Sequence, residues 1–160
     1  MMYLFLSVFS AFVVLLDQLT KYLTVLYVKP AGSVDFIPGI LGFTYAENTG
    51  GPWSILSDHT WILILVSLVF FALIFFAVGK KWFTGTGVLW SLFAIIGGGI
   101  GNLIDRVRLG YVVDMLQTKF MDFPVFNVAD CFITCGAVSL AVFFLLDELK
   151  NRKKPGEETT

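Results

Sequence analysis

The sequence predicts an all-α membrane protein, with four transmembrane helices and a small β-rich hairpin or cradle on the extracytoplasmic side. Three observations predict it. Of 160 residues, 57% are hydrophobic and 14% charged, against about 25% charged in soluble domains, and the mean hydropathy is +0.82. Four apolar runs approach the ~20 residues that a helix needs to cross hydrocarbon. Turn chemistry flanked by alternating apolar residues lies between the first two runs rather than inside one.

Residues 3–26 form the first span. Met1-Met2-Tyr3 carries no basic n-region, no A-x-A site follows, and Asp17 and Lys21 interrupt the second half, so the segment reads as a retained helix rather than a secretory signal. In the following loop, residues 34–37 and 40–46 flank Pro38-Gly39, a pair suited to the centre of a type II turn. With Phe43 and Tyr45 alternating against Thr44 and Ala46, this predicts a hairpin. Residues 61–78 form the second span and 88–103 the third, which is short unless extended at both ends. Within the third, Gly97 and Gly101 form a small-xxx-small pair that admits another helix. Residues 111–116 are β-branched and can add a strand, at or above the interface because open sheet edges are not tolerated in hydrocarbon. Residues 126–146 form the fourth span. Residues 1–150 therefore make a single integral membrane domain, and 151–160 (NRKKPGEETT) a disordered cytoplasmic tail.

Lys80-Lys81 follow the second span, and Lys150, Arg152, Lys153 and Lys154 follow the fourth. The positive-inside rule then places both termini in the cytoplasm and the loops 27–60 and 104–125 outside. Trp53, Trp61 and Tyr27, near span ends, fit an interfacial aromatic belt. A net charge of −1 offers no nucleic-acid footprint. Cys131 and Cys135 lie in an apolar segment and suit buried small residues better than a disulfide, while a single histidine, His59, argues against His-rich zinc sites and a Ser-His-Asp triad. No metal and no cofactor is expected.

Ionisable groups at membrane depth are costly, so each needs a partner or a purpose. On this topology Asp17, Asp105, Asp114 and Asp130, from separate segments, converge on the outer leaflet boundary together with Lys21. Several have plain structural readings. Asp17 and Lys21 are spaced i, i+4 and can neutralise each other; Asp105 beside Arg106 can form an interfacial ion pair, with Asn102 and Arg106 on one helix face; Asp130 lies near a helix N-terminus that Asn127 can cap. Asp114, enclosed by Tyr111-Val112-Val113 and Met115-Leu116, has no such account. Two adjacent carboxyls share a proton, so one can act as base toward water and the other as acid toward a peptide.

Four ordered motifs, DQLTK (Asp17 to Lys21), NTG with an aromatic after it (Asn48 to Gly50, Trp53), GGGIGNLIDR running on to GYVVDML (Gly97 to Leu116) and FNVADCFI (Phe126 to Ile133), resemble those of bacterial lipoprotein signal peptidases. The resemblance implies an aspartic endopeptidase of the cytoplasmic membrane that cleaves diacylglyceryl prolipoproteins just before the lipidated cysteine, with its site at the outer leaflet. It places the catalytic pair at Asp114 and Asp130. Asp17, Asn48, Gly50, Asn102, Arg106 and Asn127 match positions that support the site or contact substrate, Lys21 closes the first motif, and Asp105 matches a structural acid. The implied partners are prolipoprotein and membrane lipid, with the chain acting as a monomer. One departure is Gly51-Pro52 before Trp53, where proline removes an amide donor and fixes φ.

Three other classes fit less well. A transporter needs a polar path across the whole bilayer, whereas the charges gather at one leaflet. A Gly-x-Gly-Asp protease needs an acid where Asn102 follows Gly99-Ile100-Gly101, and a Ser-Lys peptidase needs a serine placed beside Lys21.

Overall fold

The computed structural model describes residues 1–50, 56 and 59–152, with side chains as far as Lys150. Trp53, the Gly51-Pro52 departure and the tail from residue 153 lie outside the described residues. The chain runs α1 (Met2–Leu23), a π-helical turn (Thr24–Val28), α2 (Lys29–Ala31), β1 (Val34–Ile37), β2 (Leu41–Asn48), α3 (Thr60–Gly79), α4 (Thr86–Leu109), β3 (Val112–Thr118) and α5 (Val128–Arg152). Four stretches, Met2–Ala31, Thr60–Gly79, Thr86–Leu109 and Val128–Lys150, are long and apolar enough to cross a membrane. The third span extends past the expected 88–103 at both ends. Its last turns bear Asp105, Arg106 and Arg108, which hydropathy reads as loop but which continue the helix to Leu109.

α4 is the central helix, because its glycine run lets three neighbours approach at once. A Cβ on Gly97 would lie 2.9 Å from the Val13 Cβ of α1, one on Gly99 2.8 Å from the Phe71 ring of α3, and one on Gly98 2.9 Å from Ile133 of α5. Gly101 faces the Asp17 carboxylate of α1 in the same way. The expected Gly97/Gly101 contact is thus made with α1. Ser10 on α1 donates to the Phe93 carbonyl of α4 at 2.6 Å, and Leu6, Leu89 and Phe93 pack beside it. On the other side of α4, Leu92 and Ile96 pack on Phe71 and Ile74 of α3.

The expected hairpin is present: Gly39 has φ +72°, and the Ile40 amide donates to the Ile37 carbonyl at 3.0 Å, closing a turn with Pro38-Gly39 at its centre. β3 pairs antiparallel with β2, giving the sheet order β1-β2-β3. Gly110 ends α4 with φ +83°, a left-handed cap that turns the chain directly into β3.

Candidate active site

The β2–β3 register sets the first half of the site. Phe43 pairs with Leu116 but Ala46 pairs with Asp114, so two residues of β2, Thr44 and Tyr45, oppose Met115 alone. This bulge fixes which face Asp114 occupies. Asn48 lies two residues beyond Ala46 on the same face, a diagonal neighbour of Asp114, and its Nδ2 donates to Asp114 Oδ2 at 2.9 Å. The Gly50 amide donates to Asn48 Oδ1 at 3.2 Å, which fixes that amide with its NH2 toward Asp114.

The second half comes from the start of α5. Phe126 bridges to Leu116, its amide donating to the Leu116 carbonyl at 3.1 Å, so the chain enters α5 beside β3. Asn127 caps the helix: its Oδ1 accepts from the Asp130 amide at 2.9 Å, while Asp130 Oδ2 accepts from the Asn127 amide at 3.2 Å. This reciprocal pair is a capping box built from amide and acid. The fully buried Asn127 also spans the two acids, donating to Asp114 Oδ1 at 2.6 Å and to Asn102 Oδ1 at 3.1 Å. Asn102 Nδ2 in turn donates to Asp130 Oδ1 at 2.8 Å.

Beneath this layer the buried Lys21 ammonium uses all three protons. It reaches Asp17 at 2.8 Å, Asp105 at 3.0 Å and Asn102 Oδ1 at 2.9 Å. Asp17 Oδ1 accepts from the Ala129 amide at 3.0 Å, tying α1 to the first turn of α5. Asp105 accepts from the Val113 amide at 3.1 Å and from Gln18 at 2.9 Å, tying α4 to β3 and α1. The pairing of Asp105 with Arg106 raised by their adjacency is therefore corrected: successive helical residues point about 100° apart, and Asp105 turns inward to Lys21 while Arg106 faces a cavity. A second correction concerns the cysteines. They are free, but Cys131 is half-buried and Cys135 exposed rather than both interior.

All ten sequence-derived candidates belong to this assembly, and Gln18, inside DQLTK but not singled out, belongs with them. Its hydrogen bonds to Asp17, Asp105 and the Gly101 carbonyl span two helices, a relation its single polar position did not announce. The cavity above the network has a volume of about 550 Å³ and is lined by Asn48, Asn102, Arg106, Asp114 and Asp130 at its polar end and by Phe123 to Phe126, Ile133 and Thr134 elsewhere. Arg106 Nε is buried there without a hydrogen-bond partner among the described residues. Burial pushes the Asp114 carboxyl up to about 6, helped by the charge of Asp130 and opposed by the amides of Asn48 and Asn127. Among the described residues, no group of three or more His, Cys, Asp or Glu suits a metal ion.

The family model described as signal peptidase (SPase) II matches residues 9–146. The chain is 42% identical to the lipoprotein signal peptidase of Enterococcus faecalis over 139 residues, covering 87% of this chain and 86% of that one. It is 38% identical to the lipoprotein signal peptidase of Streptococcus pyogenes over 135 residues, 84% and 89% of the two chains. A solved structure described as a bacterial membrane enzyme superposes with a TM-score of 0.82 at 29% identity, covering 96% of this chain and 93% of that one. A second, described in the same words, gives 0.79 at 31% identity over 87% and 92%.

Proposed function

We propose that this multi-pass membrane protein, which belongs to the signal peptidase (SPase) II family, removes the signal peptide of diacylglyceryl prolipoproteins by cutting before the lipidated cysteine, with Asp114 and Asp130 as a water-activating pair. The observation that carries this reading is Asn127, whose side-chain amide donates to the Asp114 carboxylate and whose backbone amide donates to the Asp130 carboxylate, at the polar end of an otherwise apolar cavity.

The chemistry balances on a single shared proton. Burial favours the neutral form of Asp114, which leaves Asp130 as the base. Asp130 takes a proton from water as its oxygen adds to the peptide carbonyl, and Asp114 gives its proton to the carbonyl oxygen. Asp130, now the acid, then protonates the amide nitrogen while Asp114 takes a proton from the diol. The C–N bond breaks, releasing an amine on the lipidated cysteine and a carboxylic acid on the signal peptide, and the pair again holds one proton. The Arg106 Nε–H has no hydrogen-bond partner among the described residues, which suits it to a carbonyl of the extended substrate segment.

The lysines after α3 and along the end of α5 argue for cytoplasmic termini, which puts the site at the outer leaflet of the cytoplasmic membrane. There the apolar walls from Phe123 to Ile133 can take a lipid chain from the bilayer while water reaches the aspartates from above. The test is cleavage of a synthetic diacylglyceryl prolipoprotein peptide beside its unlipidated twin. The lipidated peptide alone should be cut, and Asp114→Asn or Asp130→Asn should each abolish turnover. Cleavage of both peptides alike, or turnover in either variant, refutes the reading.

A further inference from the structure

α5 carries Asp130 in its first turn, and Cys131, Ile133, Thr134 and Cys135 after it line the same cavity as the two aspartates. Among the described residues lining that cavity, Thr134 bears the one hydroxyl. It follows Asp130 by four positions, so it lies on the same flank of the helix, one turn and about 6 Å farther along. A hydroxyl at that depth is costly to leave unpaired. The hydroxyls of Thr24, Ser67 and Ser91 meet this cost within their own helices. They donate to the carbonyls of Thr20 at 2.8 Å, Leu63 at 2.7 Å and Gly87 at 2.9 Å, each four residues back. Thr134 makes no such bond to the Asp130 carbonyl and has no hydrogen-bond partner among the described residues. Its side chain is exposed, so the hydroxyl is open to whatever enters the cavity.

We propose that Thr134 donates its hydroxyl to an ester carbonyl of the substrate's diacylglyceryl group and so helps the site select that lipid. The inference rests on the peptidase reading and names a specificity-determining residue for its substrate. Reach supports it. From the cysteine's amide nitrogen the path runs through Cα, Cβ, the thioether sulfur, two glycerol carbons and the ester oxygen to the nearer carbonyl carbon. At about 1.2 Å of advance per bond, those seven bonds cover about 8 Å. With the scissile bond at the aspartates, that is enough to bring the carbonyl one helical turn along α5, to Thr134. Chemistry supports it as well. An ester carbonyl accepts hydrogen bonds and donates none, so it matches a hydroxyl with a free proton. The acyl chains beyond it then meet the apolar walls, where Phe123 and Phe126 stack edge to face at 5.9 Å. A carbonyl of the signal peptide is the competing acceptor. It lies on the other side of the scissile bond, where Arg106 offers its Nε–H.

The test uses two synthetic prolipoprotein peptides that differ only in the glyceryl linkages. One is the diester; the other is the diether, which keeps both chains and loses both carbonyls. In detergent micelles, kcat/KM is measured on each with the unaltered chain, with Thr134→Val, which keeps the shape and loses the hydroxyl, and with Thr134→Ser, which keeps the hydroxyl. The diester-to-diether ratio should fall about tenfold in Thr134→Val, the effect of one hydrogen bond lost where no water replaces it. It should recover in Thr134→Ser. Taking the ratio within each variant cancels any loss of folded enzyme and any change in the aspartate chemistry. An unchanged ratio in Thr134→Val, with or without an equal loss on both peptides, overturns the proposal and makes Thr134 a packing residue or a contact to peptide. A ratio as low in Thr134→Ser as in Thr134→Val overturns it too, because the hydroxyl is then not what the ester meets. The peptidase reading is checked separately in the same assay. No cleavage of the diester peptide by the unaltered chain refutes that reading and the proposal with it, whereas cleavage with an unchanged ratio refutes the proposal alone.

Discussion

Replacing Asp114 by asparagine should inactivate the protein and, near pH 8, make it more stable. Asp114 is 2% exposed, and burial raises its carboxyl from 3.8 to about 6. Below the lower value both folded and unfolded chains carry the proton, and burial of the neutral acid incurs no ionisation cost. As pH rises between the two values the unfolded chain releases its proton first, so stability falls, and above the folded value the loss is complete. At about 1.4 kcal/mol per unit, the shift from 3.8 to about 6 corresponds to roughly 3 kcal/mol. Asparagine has no charge to bury. Its oxygen can still accept from Asn127, but its NH2 meets the Nδ2 of Asn48, which Gly50 holds in place. Two facing donors remove about 1 kcal/mol of the gain. The net is about 2 kcal/mol near pH 8, or a Tm rise of about 4–8 °C, and no gain near pH 4. Thermal unfolding in detergent micelles from pH 4 to 8.5, followed by tryptophan fluorescence, measures it. A Tm difference independent of pH would show that the carboxylate is not desolvated, and turnover by the variant would remove Asp114 from the chemistry.

Other outcomes follow from the same network. Asn48→Ala removes a hydrogen bond that favours the Asp114 carboxylate, so the alkaline limb of kcat/KM should move from about 6 upward by about 1 unit; a limb that stays or moves down contradicts the assignment of Asp114 as the acid. Lys21→Met strips Asp17 and Asp105 of the one cation paired with them among the described residues and should cost about 3–5 kcal/mol, with part recovered in the double variant carrying Asp105→Asn. Gly101→Ala pushes a methyl into the Asp17 carboxylate and should cost about 1–3 kcal/mol, whereas Gly79→Ala, with nothing within 4 Å of the new atom, should be neutral; equal effects would mean that α1 and α4 do not approach through Gly101.

Much of the fold was legible because its signals are local. Each span is announced by a long apolar run, the hairpin by Pro38-Gly39, and the cap of α5 by Asn127 three residues before Asp130. The limits of α4 were not, because Asp105 and Arg106 look like loop residues until Lys21 is brought to one and a cavity to the other.

By itself, then, the sequence determined that four segments are long and apolar enough to cross a membrane, that a few ionisable residues lie in or beside them, and which of those residues lack a local partner. Only the tertiary structure decided how they pair. Asn48, Asn102 and Asn127 come from β2, α4 and the start of α5, and their hydrogen bonds depend on a one-residue bulge in β2 and on glycines that bring α4 against its neighbours. A bulge sets which face a side chain occupies, and a glycine sets how closely two backbones can approach. Both are relations between segments, and a linear pattern records only the residues that permit them.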